Sequence, residues 1–208
     1  MDLQFYGANC LGITTKKISI IVDDNLDEIG RKSITKEGDI VLQTFGITGK
    51  SSHGKIVINY PGEYEVGDVS IQGVAARAHI DENGLNSVIY KITASDVRLV
   101  ILGHIYPELS EQQLEAIGTV DVLCIPVGGN GYTLDAAGAL KCIKKIEPKL
   151  IIPTHYAFKG LNYQVPQAQL EDILKELSME ATQPVDKLKL KAGDFGESAG
   201  LSLLEIQA

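Results

Sequence analysis

The sequence predicts an α/β (α+β) fold in which two β-sheets pack face to face with helices outside, and three observations lead there. The first half is a series of short Ile- and Val-rich segments bounded by Gly, Asn and Asp. The middle alternates strand-like with helix-like segments, and two more strand-like segments close the chain. The early segments lack the intervening helices that a doubly wound parallel sheet requires, which argues against a dinucleotide-binding fold.

Taken in order, strands are expected at Leu3–Tyr6, Lys17–Val22, Asp39–Thr44, Lys55–Asn59, Asp68–Val74, Ser87–Ile92 and Val97–Leu102. Ser110-Glu111-Gln112-Gln113 has the form of a capping box and opens a short helix to Ile117. Asp121–Pro126 reads as a buried strand. A helix follows from about Asp135 to Ile146, with Leu140, Ile143 and Ile146 on its apolar face and Pro148 as its stop. Lys149–Ile152 is the next strand and Gln167–Leu177 a second amphipathic helix. Strands near Lys187–Leu190 and Leu201–Ile206 complete the set. Gly128-Gly129-Asn130-Gly131 lacks both dinucleotide and P-loop spacing and reads as a strand-to-helix turn.

Composition narrows the function classes. The 208 residues are expected to form one domain, 1–208, with 44% hydrophobic and 22% charged residues. A net charge of −8 repels a phosphate backbone, so nucleic acid is not an expected partner. Lys187, Lys189 and Lys191 alternate with Leu188 and Leu190 as the solvated face of a strand would. Cys10, Cys124 and Cys142 are odd in number, and none forms a Cys-x-x-Cys pair; neither disulfides nor a thiolate zinc site is indicated. No apolar run reaches the roughly 20 residues of a membrane helix, and the start lacks a signal-peptide pattern. The expected compartment is the cytoplasm, with no membrane partner.

Four segments carry a resemblance. They are Tyr6-Gly7-Ala8-Asn9-Cys10, Pro61-Gly62-Glu63-Tyr64-Glu65-Val66, the stretch from Val120 through Gly129 continuing to Ala136, and Ile151-Ile152-Pro153-Thr154-His155-Tyr156. In this order they resemble the branch of the metallo-β-lactamase superfamily that includes L-ascorbate-6-phosphate lactonase-like proteins. The resemblance implies a four-layer αββα sandwich with the site at one edge, built from loops after the strands. It also implies a His-x-His-x-Asp-His metal motif directly after a strand that ends in Thr. Here Thr44 is followed by Phe45-Gly46-Ile47-Thr48-Gly49-Lys50. Phe45 and Ile47 stand where histidines belong, Gly49 where the aspartate belongs and Lys50 where the last histidine belongs. Phenyl and sec-butyl groups have no lone pair, glycine has no side chain, and lysine must first lose its proton. At about 4 Å and an effective dielectric near 20, a Lys50 ammonium would oppose each unit of metal charge by about 4 kcal/mol.

His79, His104 and His155 remain, each just past an expected strand. His79 and His155 resemble the family's later histidine motifs, and His104 takes the place of its bridging aspartate. Three imidazoles and a water form a recognised zinc set; the bland alternative is three hydrogen-bonded relics. His53 is expected in a polar turn outside the site. Cys10 is either a thiol beside the site or a buried structural residue. The expected function is non-hydrolytic: binding or regulation, without a resident cofactor, with Lys50 offering a cation to a small anionic molecule. Two alternatives stand beside it. One is a hydrolase of an ester, lactone or phosphoester with one zinc or other divalent metal on His79, His104 and His155. The other is a structural subunit of a homo-oligomer.

Overall fold

The computed structural model describes residues 1–45, 54–81, 84–196 and 198–207. Thirteen strands are arranged in two sheets among the described residues. The first sheet takes β1 (Asp2–Gly7), β2 (Cys10–Thr14), β3 (Ser19–Val22), β4 (Ile40–Leu42), β5 (Ile56–Ile58) and β12 (Leu188–Lys189), in the order β12-β1-β2-β3-β4-β5. The second takes β6 (Gly62–Val66), β7 (Val69–Ala76), β8 (Ser87–Ala94), β9 (Val97–Ile101), β10 (Val122–Pro126), β11 (Leu150–Thr154) and β13 (Gly200–Leu201), in the order β13-β11-β10-β9-β8-β7-β6. Each sheet is antiparallel on one side and parallel on the other. The switch comes at β3–β4 in the first sheet and at β9–β10 in the second.

Side-chain alternation explains why the sheets face each other. In β1, Leu3 and Phe5 are buried while their neighbours Gln4 and Tyr6 are half-buried. β10 is buried at every position, as expected of a parallel strand covered on both faces. One apolar cluster runs through both sheets. Tyr90 in β8 is fully buried in it, and its hydroxyl lies 2.9 Å from the Ile58 carbonyl and 3.2 Å from that of Gln43, across the interface.

The helices α1 (Glu111–Ile117), α2 (Ala136–Ile146) and α3 (Leu170–Leu177) all belong to the second sheet's outer layer, α1 against β7, α2 against α1 and α3. The capping box opens α1: the Gln113 N–H donates to Ser110 Oγ at 3.2 Å, and the Ser110 N–H to Gln113 Oε1 at 2.9 Å. Asp135 caps α2 through the Gly138 N–H at 2.7 Å. Over the first sheet, the described helical cover is the single 3₁₀ turn Leu26–Ile29. Leu26 and Ile29 pack there on Ala8, Cys10 and Ile21. The two-sheet sandwich follows the expectation, and its outer layer is thick on one side and thin on the other. None of the described helices is long and apolar enough to cross a membrane.

Several boundaries differ from the expectation. β2 was not anticipated, because Gly12 interrupts its apolar pattern. Glycine is needed there, since a Cβ would come within 3.0 Å of the Tyr6 ring. α3 begins at Leu170, three residues after the expected Gln167, because Gln167 is engaged elsewhere. The last expected strand shortens to Gly200–Leu201, with isolated bridges from Leu204 to Val185 and from Ile206 to Phe5.

The end of the sandwich away from the histidines is fixed by Asp121. Its buried carboxylate accepts from the Arg98 backbone N–H at 2.9 Å, from the Arg98 guanidinium at 2.8 and 2.9 Å, and from Lys149 at 3.1 Å. Burial raises its pKa, but the Arg98 and Lys149 hydrogen bonds outweigh burial and hold it at about 2. A depressed folded-state pKa stabilises the fold above the unfolded value near 4 and loses that contribution as pH falls towards 2. The expected size is about 1–2 kcal/mol, since Arg98 and Lys149 are partly solvated. Denaturant titrations from pH 5 to 2 should show this loss in the wild type and a flatter profile in Asp121→Asn. Parallel profiles in the two proteins would refute the assignment.

Candidate functional site

The carboxyl ends of the parallel strands in both sheets meet at one edge, and His79, His104 and His155 gather there. β4 runs into Gln43, Thr44 and Phe45. Asp23, just past β3, holds this exit: its carboxylate accepts from the Thr44 N–H at 2.7 Å and from Thr44 Oγ1 at 2.5 Å. Thr44 is bound from the second sheet as well, its carbonyl accepting from the Val88 N–H at 2.6 Å and from Ser87 Oγ at 2.7 Å. Burial pushes Asp23 up to about 6, a shift that the Thr44 hydrogen bonds limit. Gly103 makes room for this junction, because any Cβ there would run into the Thr44 side chain.

The loops after β7 and β9 pair with each other. The His79 N–H donates to the His104 carbonyl at 2.8 Å, and the Tyr106 N–H to the Arg77 carbonyl at 2.9 Å. His79 and His104 are therefore neighbours, with the His79 ring 6.1 Å from that of Tyr106. His155 comes in from β11 with φ +54, a left-handed conformation unusual for a residue with a side chain. Its N–H donates to the Ala8 carbonyl at 2.8 Å. The His104 and His155 rings meet edge to face, 4.8 Å between centroids. Tyr132 lies 4.9 Å from His104 and 5.7 Å from His155, and Tyr163 covers His155 at 5.1 Å. Phe45, which follows Thr44, has its ring 6.3 Å from that of His104.

Both imidazoles favour their neutral forms. Burial, reinforced by the nearby His155, pushes His104 down to about 3 against an opposing backbone hydrogen bond to Tyr132. Burial also pushes His155 down to about 4, against the hydrogen bond to Gln167. The Gln167 contact sets the tautomer. Gln167 Nε2 donates to the Val165 carbonyl at 2.6 Å, which turns Oε1 towards His155 Nδ1, 3.0 Å away. An amide oxygen only accepts, so His155 Nδ1 carries the proton and Nε2 the lone pair.

Sequence reasoning therefore assembled His104, His155 and, through its backbone, His79 at one edge. It missed Gln167, which lay inside an expected helix, and Tyr163, for which no signal existed. It also missed Asp23, whose only signal is its place at the end of a buried strand. Cys10 is fully buried, and burial beside Asp24 and Asp23 raises its thiol well above the usual range, so it is the structural residue of the two alternatives. Glu63 and Glu65 are exposed on β6, with Tyr64 on the other face. Ile47, Gly49, Lys50 and His53 lie outside the described residues.

The fold implies a metal, and the donor chemistry tests that implication. In its favour, His79 Nδ1 and His104 Nδ1 are buried without hydrogen-bond partners. Against it, Phe45 presents a donor-free ring to His104. Among the described residues no three His, Cys, Asp or Glu side chains are grouped so as to hold a metal ion.

Two stacked mixed sheets with a histidine-bearing edge define a class, that of the metallo-β-lactamase-type sandwich. A family model described as Beta-lactamase superfamily domain matches residues 2–155, and the chain belongs to that family. Among known proteins it is similar to a UPF0173 protein of Pyrococcus abyssi, 24% identical over 186 residues, spanning 77% of this chain and 85% of that one. A UPF0173 metal-dependent hydrolase of Carboxydothermus hydrogenoformans is 46% identical over 43 residues, 21% of this chain and 19% of that one. The crystal structure of a protein assigned to the Zn-dependent hydrolases of the metallo-β-lactamase superfamily, from Thermotoga maritima, superposes with a TM-score of 0.74. The two are 24% identical, and the match covers 98% of each chain.

Gly128 offers a test of the site's construction. A Cβ there would collide with Gln167 Oε1 and with the His155 carbonyl, whereas one on Gly38 meets nothing within 4 Å. Gly128→Ala should cost about 1–3 kcal/mol in denaturant titrations and remove the slowly exchanging His155 Nδ1 proton from NMR spectra. Gly38→Ala should do neither. Equal behaviour of the two variants would contradict this packing.

Proposed function

We propose that the chain is a small-molecule-binding or regulatory protein built on a hydrolase scaffold, and that dinuclear metal hydrolysis is not its activity. The observation that supports this is Phe45. It follows Thr44 beyond β4, where the resemblance sets the first histidine of the metal motif, and its ring, 6.3 Å from that of His104, has nothing to donate to a metal. The other three replacements, Ile47, Gly49 and Lys50, extend the argument in sequence. Lys50 supplies the cation for an anionic group of the ligand.

A second reading is favoured by the two bare nitrogens, His79 Nδ1 and His104 Nδ1, and by a relative named as a metal-dependent hydrolase. In it, one divalent metal on His79, His104 and His155 supports hydrolysis of an ester, lactone or phosphoester, after the rings turn to share the ion.

Metal content separates these readings. Protein purified from zinc-supplemented medium should hold far less than two equivalents by elemental analysis and should not hydrolyse lactones or phosphodiesters. Two tightly held metals would overturn the proposal. One equivalent, with hydrolysis that His104→Ala abolishes, would establish the second reading in its place. Calorimetry with inorganic phosphate at low salt tests Lys50: Lys50→Ala should weaken binding about tenfold, the worth of one charge-assisted hydrogen bond. Equal binding by both proteins would remove Lys50 from the site.

A further inference from the structure

Beside His155 lies a cavity of about 30 Å³, walled by Ala8, Asn25, Glu28, Tyr132, His155 and Tyr163. That is room for one or two water-sized groups. Its chemistry is one-sided. Glu28 brings a carboxylate. Asn25 brings a side-chain oxygen that is buried without a hydrogen-bond partner, with its amide nitrogen 3.4 Å from Glu28 Oε2. His155 brings a lone pair on Nε2, because Gln167 has fixed the proton on Nδ1. Tyr132 and Tyr163 bring aromatic rings on either side of that imidazole. Among the described residues no lysine or arginine lines the cavity. Acceptors, one negative charge and aromatic rings together select a compact donor with positive charge.

We propose that this cavity is a subsite for a primary ammonium group on the ligand of the cleft. The proposal rests on the reading of the cleft as a small-molecule site and adds the class of that molecule, an amine. An ammonium is the size of a water and offers three N–H donors. Asn25 Oδ1 and Glu28, from the 3₁₀ turn and its N-cap, and His155 Nε2, from the end of β11, are the acceptors it would satisfy. A carboxylate or phosphate would meet the Glu28 carboxylate there, with no described lysine or arginine to offset the repulsion. The anionic end of a ligand is therefore excluded from this pocket, whatever holds it elsewhere in the cleft.

The test is titration of the full chain with 2-phenylethylamine at low salt, followed by amide NMR shifts and calorimetry. 2-Phenylethanol and phenylacetate serve as the neutral and anionic counterparts. The amine should bind saturably and shift the amides of Tyr132, His155 and Tyr163, and the alcohol and acid should bind at least tenfold more weakly. Glu28→Gln, an exposed change that leaves the fold's packing alone, should weaken the amine at least threefold and leave the alcohol unaffected. The proposal is overturned by any of three results: no saturable amine binding, alcohol or acid binding as tightly as amine, or an undiminished amine affinity in Glu28→Gln. Metal content and phosphate binding do not involve Glu28. Loss of the amine result with those outcomes as expected would remove the subsite alone, whereas two bound metals would remove the broader reading.

Discussion

Thr44 is the point at which the two sheets are locked together at the site. Asp23 accepts from its N–H and hydroxyl within the first sheet, and the Val88 N–H and Ser87 hydroxyl of the second donate to its carbonyl. Satisfying every polar group of one buried residue from both sheets leaves it a single position. The cost is a buried carboxylate, visible in the raised pKa of Asp23. From this follow the direction in which Phe45 leaves β4, the need for glycine at 103, and the place of His104 directly behind it.

The chemistry open to this edge depends on the side chains that follow Thr44 and on how the imidazoles are anchored. A metal centre needs lone pairs converging on a point, with each imidazole's other nitrogen anchored. His155 keeps such an anchor in Gln167. Its neighbours at the edge are rings that pack on one another: Phe45, His104, Tyr132 and Tyr163 form, with His155, a chain of ring contacts. Burial among rings keeps His104 and His155 neutral, which suits hydrogen bonding and stacking with an organic ligand.

Strand positions and the helix caps were legible because their causes are local. Alternation of Leu3 and Phe5, the Ser110–Gln113 box and the Asp135 cap each act within a few residues. β2 escaped because its glycine answers to a contact across the strand rather than to strand propensity. The start of α3 escaped for a related reason, as Gln167 is drawn out of the helix by His155 and Val165.

The sequence alone determined the two-sheet class, the family resemblance, that Phe45, Ile47 and Gly49 carry no metal-donor atoms in their side chains, and the three histidines worth following. Those conclusions depend on which atoms a side chain possesses, and that is fixed by the sequence. Tertiary structure alone decided that His155 is protonated on Nδ1, that Asp23 holds the exit of β4, and that Tyr132, Tyr163, Asn25 and Glu28 surround one imidazole. Those residues come from loops more than a hundred positions apart, and no local pattern encodes a contact made only when two sheets close.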